Sequence, residues 1–347
     1  MRMCELGEKK FLSSLLPTLQ TADCFLNGFG HDASVLDIGL PEHAIAFKID
    51  RAARPIAAFK GWTGFDSWGR LAVTANLSDL LAVGAIPKGF MLSLSVPKDW
   101  DVQRTEAVIQ GAAEECSRNG VAFLGGDTKE AKEAHVVGAA IGIVDKKKII
   151  GRRAANPGDA VVLAGKLGGF AGAYTLVQNG MSNNPDHVSY LAYPSCSLDE
   201  FSYLSKNFDI SSAVDLSDGL WDGLQLLIRA GDGIELATDE LPIHRFAAEA
   251  ATFTNANPLN FAFTVGDWGI LCTLPAHQAE MAIENAPRGL NLSIIGVVNN
   301  SKRISFRSRQ LNKELKLKYQ LRNEHFIQRM ENETDYFEHI LTSNFLV

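Results

Sequence analysis

The chain has no CxxC pair. Its five cysteines (Cys4, Cys24, Cys116, Cys196 and Cys272) are scattered and none neighbours a histidine, which argues against a zinc site or a disulfide framework and for reduced thiols. No apolar stretch approaches the roughly eighteen residues needed to span a bilayer. Glu5 and Glu8 interrupt the first thirty residues early, so the layout of a secretory signal is missing. Positive charge is in deficit: 33 Lys and Arg against 40 Asp and Glu give a net charge of −7. No global basic field therefore draws the chain to nucleic acid or membrane. No short-period repeat or low-complexity tract is present. A Walker A loop is excluded as well, because around Lys166 the required first glycine is Ala160 and the required Ser or Thr is Leu167. What remains is a soluble, cytoplasmic globular protein, and 347 residues are comfortable for two domains.

What is present is a set of aspartates beside small residues. Leu124-Gly125-Gly126-Asp127-Thr128 follows the apolar run Val121-Ala122-Phe123, with Asn76-Leu77-Ser78-Asp79-Leu80 upstream and Asp215-Leu216-Ser217-Asp218-Gly219 downstream. An unpaired charge in such apolar surroundings is costly. Glycine amides can approach an anion closely, and a carboxylate can hold a hard cation over it. A glycine turn with a solvated Asp explains any one motif equally well. Three together favour a metal–polyphosphate site.

In chain order, Glu8–Gln20 has the spacing of an amphipathic helix. Gly28–Leu36 reads as a glycine turn leading into a strand, and Ala44–Asp50 is a strand ending on an aspartate. Residues 51–70 show no clear period and read as a long loop near the site. Leu71–Val83 is helical, with Asn76 and Asp79 on one face. Gly89–Val96 is a strand, Val102–Gly120 a helix and His135–Val144 another strand. The pattern predicts an α+β first domain over 1–150, with helices covering one face of a mixed sheet. Gly151–Asp159 reads as a linker into a C-terminal α/β domain over 151–300, which opens with the strand Ala160–Ala164. Gly168-Gly169, ahead of a helix over Phe170–Gln178, is a candidate anion cradle. Residues 183–194 read as a polar loop, 198–207 as a helix, 213–216 as a strand, 222–230 as a helix and 261–274 as strand-like. Leu292–Val298 reads as the last strand. A basic stretch over 301–318 and a helix over 319–342 form an extension, 301–347.

With these motifs in place, the chain resembles the thiamine-monophosphate kinase family of the aminoimidazole-ribonucleotide-synthetase-like superfamily, from about Gly30 to Val298. The resemblance implies a homodimer whose N-terminal sheets pack into a barrel, with ATP near the seam and Mg²⁺ held by aspartates. It places metal-binding positions on Asp32, Asp50, Asp79, Asp127, Asp215 and Asp218. ATP contacts fall on Gly125, Gly126, Asp127, Arg152 and Ser217, and catalytic carboxylates on Asp127 and Asp218. Lys48, Trp221, Asp267 and Trp268 are candidates for contacting a small-molecule acceptor. Phosphoryl transfer fits such a set, since it needs charge neutralisation and positioning more than covalent chemistry from the protein.

Several residues depart from the family pattern. His31 replaces an aspartate beside Asp32, and Lys48 and Ile49 replace hydroxyl residues before Asp50. Ala57 stands where a substrate-contacting histidine is expected, and Gly266 where a glutamate is. The expected activity is thus an ATP- and Mg²⁺-dependent phosphotransferase whose acceptor is not thiamine monophosphate. Two alternatives remain open: ATP-dependent activation of an amide or carbamoyl oxygen, and a non-catalytic ATP-binding regulator.

Overall fold

The computed structural model describes residues 1–181 and 183–315, together with Tyr336, Phe337 and His339. Two short helices, α1 (Met3–Leu6) and α2 (Glu8–Leu15), come first. Helix α2 ends short of the expected Gln20 because Pro17, which has no N–H to donate, tightens Leu16–Thr18 into a 3-10 turn. Next follow β1 (Ser34–Leu36), β2 (His43–Arg51), α3 (Ile56–Phe59), α4 (Asp66–Ala82), β3 (Ile86–Val96), α5 (Val102–Arg118), β4 (Ala122–Glu130) and β5 (His135–Asp145). The strands form one sheet in the order β1-β2-β5-β3-β4, antiparallel except for the parallel β3–β4 pair. This is the expected α+β arrangement.

Helix α4 organises the first domain. It packs against α5 and against β2, β3 and β5, and it also touches the strands Ser212–Asp215 and Ile270–Pro275 of the second sheet. Fifteen of its seventeen residues are buried, as expected of a helix enclosed on all sides. The expected loop over 51–70 is therefore too long: residues 66–70 are already helical. An enclosed helix presents no amphipathic stripe, so its first turn gave no periodic signal. Trp68 is anchored in the core, and its indole N–H donates to the Ala52 carbonyl. Arg70 is tied to Asp66 and Glu114.

Among the described residues, no helix covers the other face of this sheet. Alternation along β2 sends Ala44 and Ala46 into the core and leaves Phe47 and Ile49 exposed, Ile49 by 70%. Met91, Leu124 and Ile143 are exposed as well.

The second domain comprises β6 (Asp159–Ala164), α6 (Gly169–Leu176), α7 (Pro185–Ala192), α8 (Leu198–Asn207), β7 (Ser212–Asp215), α9 (Leu220–Leu227), β8 (Gly233–Ala237), α10 (Arg245–Thr254), α11 (Pro258–Ala262), β9 (Ile270–Pro275), α12 (Ala276–Glu284), β10 (Leu292–Asn299), β11 (Ile304–Ser308) and β12 (Lys313–Leu315). Its seven strands run β12-β11-β8-β10-β6-β9-β7. Three expectations are corrected. Residues 183–194 contain α7, whose start is built from Pro185 in the first turn and the Asn184 side chain accepting from the Asp186 N–H; both residues also suit a turn. The 261–274 stretch is a strand only from Ile270 onward, as part of Ile270–Pro275. Strand β10 is not the last, since β11 pairs parallel with β8 and carries β12 on its outer edge. The helix expected over 319–342 lies outside the described residues except at Tyr336, Phe337 and His339. Of these, Phe337 stacks on Tyr174 at 3.9 Å, and the Tyr336 hydroxyl accepts a hydrogen bond from the Val265 N–H at 3.1 Å. No helix among the described residues is long and apolar enough to cross a membrane.

Candidate active site

Four separate elements converge on one group of side chains. Asp32 comes from the turn before β1, Lys48 and Asp50 from β2, Ser78 and Asp79 from α4, and Asp215 from the end of β7. Lys48 and Asp50 are the partly buried alternates of exposed Phe47 and Ile49, so the period of the strand sets them on the α4 side. One carboxylate oxygen from each of Asp32, Asp79 and Asp215 lies within 4.8 Å of the others, and all three residues are buried. Two cations sit among them. Lys48 Nζ is 3.0 Å from Asp79 Oδ2, and the Arg152 guanidinium clasps both oxygens of Asp32. The Ser78 and Ser217 hydroxyls donate to the two oxygens of Asp215 at 2.8 and 2.9 Å.

The electrostatics follow from enclosure. Burial raises the Asp79 pKa well above its ordinary value, and nearby Asp215 adds to the effect. Asp32 is pushed up to about 6, chiefly by burial, although Arg152 opposes the shift. Burial also raises Asp50, against the pull of Lys48. For Lys48, burial favours the neutral amine, but Asp79 and Asp50 outweigh it and the pKa is raised. Three closely spaced buried carboxylates form a hard, oxygen-only donor set, which fits Mg²⁺ or Mn²⁺ better than a soft metal.

Asp32, Asp79 and Asp215 are thus brought together, and Asp50 interacts with Lys48 and Asp215 at the edge of the group. Asp127 and Asp218 are exposed and are not among the three. Asp127 lies on edge strand β4, 3.8 Å from Lys129 Nζ. The Gly125-Gly126 pair lies in a strand and not in a turn. The β3–β4 register shifts here: Phe90 pairs with Phe123, but Leu92 pairs with Gly126. A Cβ on Gly126 would meet the Leu92 carbonyl oxygen at 1.7 Å. Close strand approach alone therefore demands glycine at that position.

Beside the aspartates, between the domains, lies a cleft of about 450 Å³. Ser217 belongs to both, lining the cleft while donating to Asp215. Of the acceptor candidates, Asp267 and Trp268 line it; Lys48 is held in the carboxylate group, and Trp221 is stacked on Phe306. Trp62 packs on Tyr174. Ala57 and Gly266 also line the cleft. Gly266 has a φ of +102°, and a Cβ there would stand 2.6 Å from the Phe170 ring, so the ring occupies the space a side chain would need.

The anion cradle expected at Gly168-Gly169 is filled by the chain itself. The Asp267 carboxylate accepts from the Gly168 N–H and, at 3.0 Å, from the Phe170 N–H, capping α6. Burial raises its pKa to about 6 even so. Sequence reasoning missed other polar residues that line the cleft: Lys166, Tyr190, His244, Glu200 and Asn291. Burial, then Lys166 and Arg245, lower His244 to about 4, which leaves a neutral imidazole. Tyr190 sits on α7, which the turn-like residues at its start disguise as a loop in the sequence.

Comparison with known proteins agrees with this architecture. The N-terminal domain of AIR synthase related proteins matches residues 30–144, and the corresponding C-terminal domain matches 156–309. A thiamine-monophosphate kinase of Pyrococcus horikoshii is 31% identical over 209 residues, which cover 60% of this chain and 65% of that kinase, just under two thirds of its length. The solved structure of AaThiL complexed with AMPPCP and TMP superposes with a TM-score of 0.74 at 23% identity, covering 88% of this chain and 95% of that one. Hydrogenase maturation protein HypE in complex with ATP gives a TM-score of 0.63 at 20% identity, covering 90% and 91%. At those identities the two structures speak for the fold. The two matched domains together take in most of the chain, which belongs to the AIR synthase related family.

Proposed function

We propose that the chain is an ATP- and Mg²⁺-dependent phosphotransferase whose acceptor is a small molecule other than thiamine monophosphate. The observation that carries this reading is Ser217, which joins a buried three-carboxylate group to a cleft large enough for a small molecule. Asp32, Asp79 and Asp215 would hold the metal. Bound there, Mg²⁺ supplies charge neutralisation for the triphosphate. The protein's own contributions are positional. Arg152 and Lys48 fix the carboxylates, and Ser217 orients Asp215 at the mouth of the cleft. Trp268, Lys166 and Tyr190 line the cleft, so an aromatic ring and polar groups are within reach of an acceptor.

The bare face of the first sheet supports a homodimer in which Phe47, Ile49, Met91 and Leu124 are covered. In that arrangement Asp127, Gly125 and Gly126 on the exposed edge strand would meet nucleotide near the seam, and Asp218, next to Ser217 in the chain, would be the second catalytic carboxylate.

The departures at Ala57 and Gly266 support a different acceptor. A site that has lost an imidazole and a carboxylate loses the discrimination those groups give, which can amount to orders of magnitude. The test is ADP release and thiamine diphosphate formation from ATP and thiamine monophosphate at saturating Mg²⁺, beside an ordinary thiamine-monophosphate kinase. Turnover far below that enzyme is expected, and a rate equal to it would refute the acceptor reading. A second reading is ATP-dependent activation of an amide or carbamoyl oxygen. ADP with free phosphate and a condensed product would select it. Tight ATP binding without turnover on any acceptor would select a regulator.

A further inference from the structure

Lys48 is an unusual occupant of a group of metal-ligating carboxylates. Its ammonium lies 3.0 Å from Asp79, and its charge is also felt by Asp50, Asp215 and Asp32. The side chain is only 22% exposed, and its strand carries it to the same side as Asp50. Metal ligation requires the carboxylates in their ionised form. In that form, Asp32, Asp50, Asp79 and Asp215 bring four negative charges, while Lys48 and Arg152 return two positive ones. The remainder is the charge of one divalent ion. A second such ion would have to sit beside a fixed ammonium in a poorly solvated pocket, where like charges repel strongly.

We propose that Lys48 is a tethered cation that stands in place of a second divalent ion, so that this aspartate group takes one metal ion before nucleotide arrives. The proposal rests on the reading of the group as a metal site, but not on the identity of the acceptor or on turnover. Its chemistry is economical in one respect: an ammonium neutralises charge without exchanging ligands. It cannot bridge two phosphates as a coordinating ion does, so Lys48 would fix the site's charge and leave coordination to the single metal.

The test is a count of Mn²⁺ bound to the full-length chain without nucleotide, by equilibrium dialysis and by electron paramagnetic resonance. The wild-type protein is expected to bind one Mn²⁺ per chain, and Asp215→Asn to lose it. Lys48→Ser, which removes the charge and opens space, is expected to bind two. Lys48→Met keeps the bulk and removes the charge, so it should bind one ion at least about tenfold more tightly. Lys48→Arg should keep the wild-type count and affinity, a rescue that a purely structural lysine would not predict. Circular dichroism checks folding, and if Lys48→Ser does not fold, the Met and Arg variants still decide. Two ions in the wild-type protein, an unchanged affinity in Lys48→Met, or an unchanged count in a folded Lys48→Ser would overturn the proposal. Absence of Mn²⁺ from every variant would overturn it together with the metal reading. If instead the Mn²⁺ counts are as expected and no ADP forms with any acceptor, the kinase reading alone fails.

Discussion

Gly266→Ala puts the geometry of the cleft to a direct test. Two costs add at this position. A φ of +102° is foreign to a residue with a side chain, and left-handed backbone costs about 1–2 kcal/mol. The new Cβ would also lie 2.6, 2.7 and 3.1 Å from three atoms of Phe170, and forcing a packed side chain aside costs about 1–3 kcal/mol. Together they predict a loss of roughly 2–5 kcal/mol. Urea titration followed by tryptophan fluorescence measures it, with a lower midpoint and an unchanged slope expected. Combining Gly266→Ala with Phe170→Ala should recover the clash but not the backbone cost, giving a coupling of at least about 1 kcal/mol. A single-variant cost below about 0.5 kcal/mol, or simple additivity in the double variant, would refute the reasoning. It would also remove the steric explanation for the absent carboxylate.

Other expected outcomes follow from the same geometry. Asp267 holds its proton more tightly folded (pKa about 6) than unfolded (3.8). Its contribution to stability is thus greatest below pH 3.8 and is lost as pH rises through about 6. Relative to Asp267→Asn, the wild-type protein should lose about 2 kcal/mol between pH 4 and 7, and parallel stability curves would contradict this. Asp79→Asn and Asp127→Asn should each weaken Mg²⁺-dependent ATP binding roughly tenfold or more in calorimetry, whereas full ATP affinity in chelator would defeat the metal reading. The protein should be a dimer by light scattering, with an interface above about 2,000 Å². Ile49→Asp, at a position 70% exposed in the single chain, should make it monomeric, and a wild-type monomer at micromolar concentration would count against the shared sheet face.

Much of this architecture was legible in the sequence, because its clearest signals are local. The Asp79 and Asp215 motifs stood out as charges in apolar surroundings, and the structure sets both in the buried group. The alternation of β2 foretold a strand ending on Asp50. What sequence could not show was enclosure by distant elements. The start of α4 was lost because its neighbours bury it on every side, and α7 was lost because Asn184 and Pro185 open helices and turns alike. The diglycine beside Asp127 suggested an anion cradle, yet its second glycine is required by the Leu92 carbonyl of the adjacent strand. At Gly168-Gly169 the cradle was read correctly as a shape, but its anion is Asp267, a residue 99 positions away. Strands β11 and β12 lie in a basic stretch that reads as an appendage, although its apolar residues Phe306 and Leu315 are buried.

The hydrogen bond from Val265 to Tyr336 has a consequence for how the protein is made. Its two partners are 71 residues apart, and Val265 adjoins the Gly266–Trp268 segment that lines the cleft. During synthesis this wall leaves the ribosome well before the tyrosine that braces it, and the Phe337 ring that stacks on Tyr174 follows Tyr336 directly. A nascent chain can thus have both sheets in hand while one wall of its cleft still lacks its brace. Acceptor binding should be among the last properties the growing chain acquires.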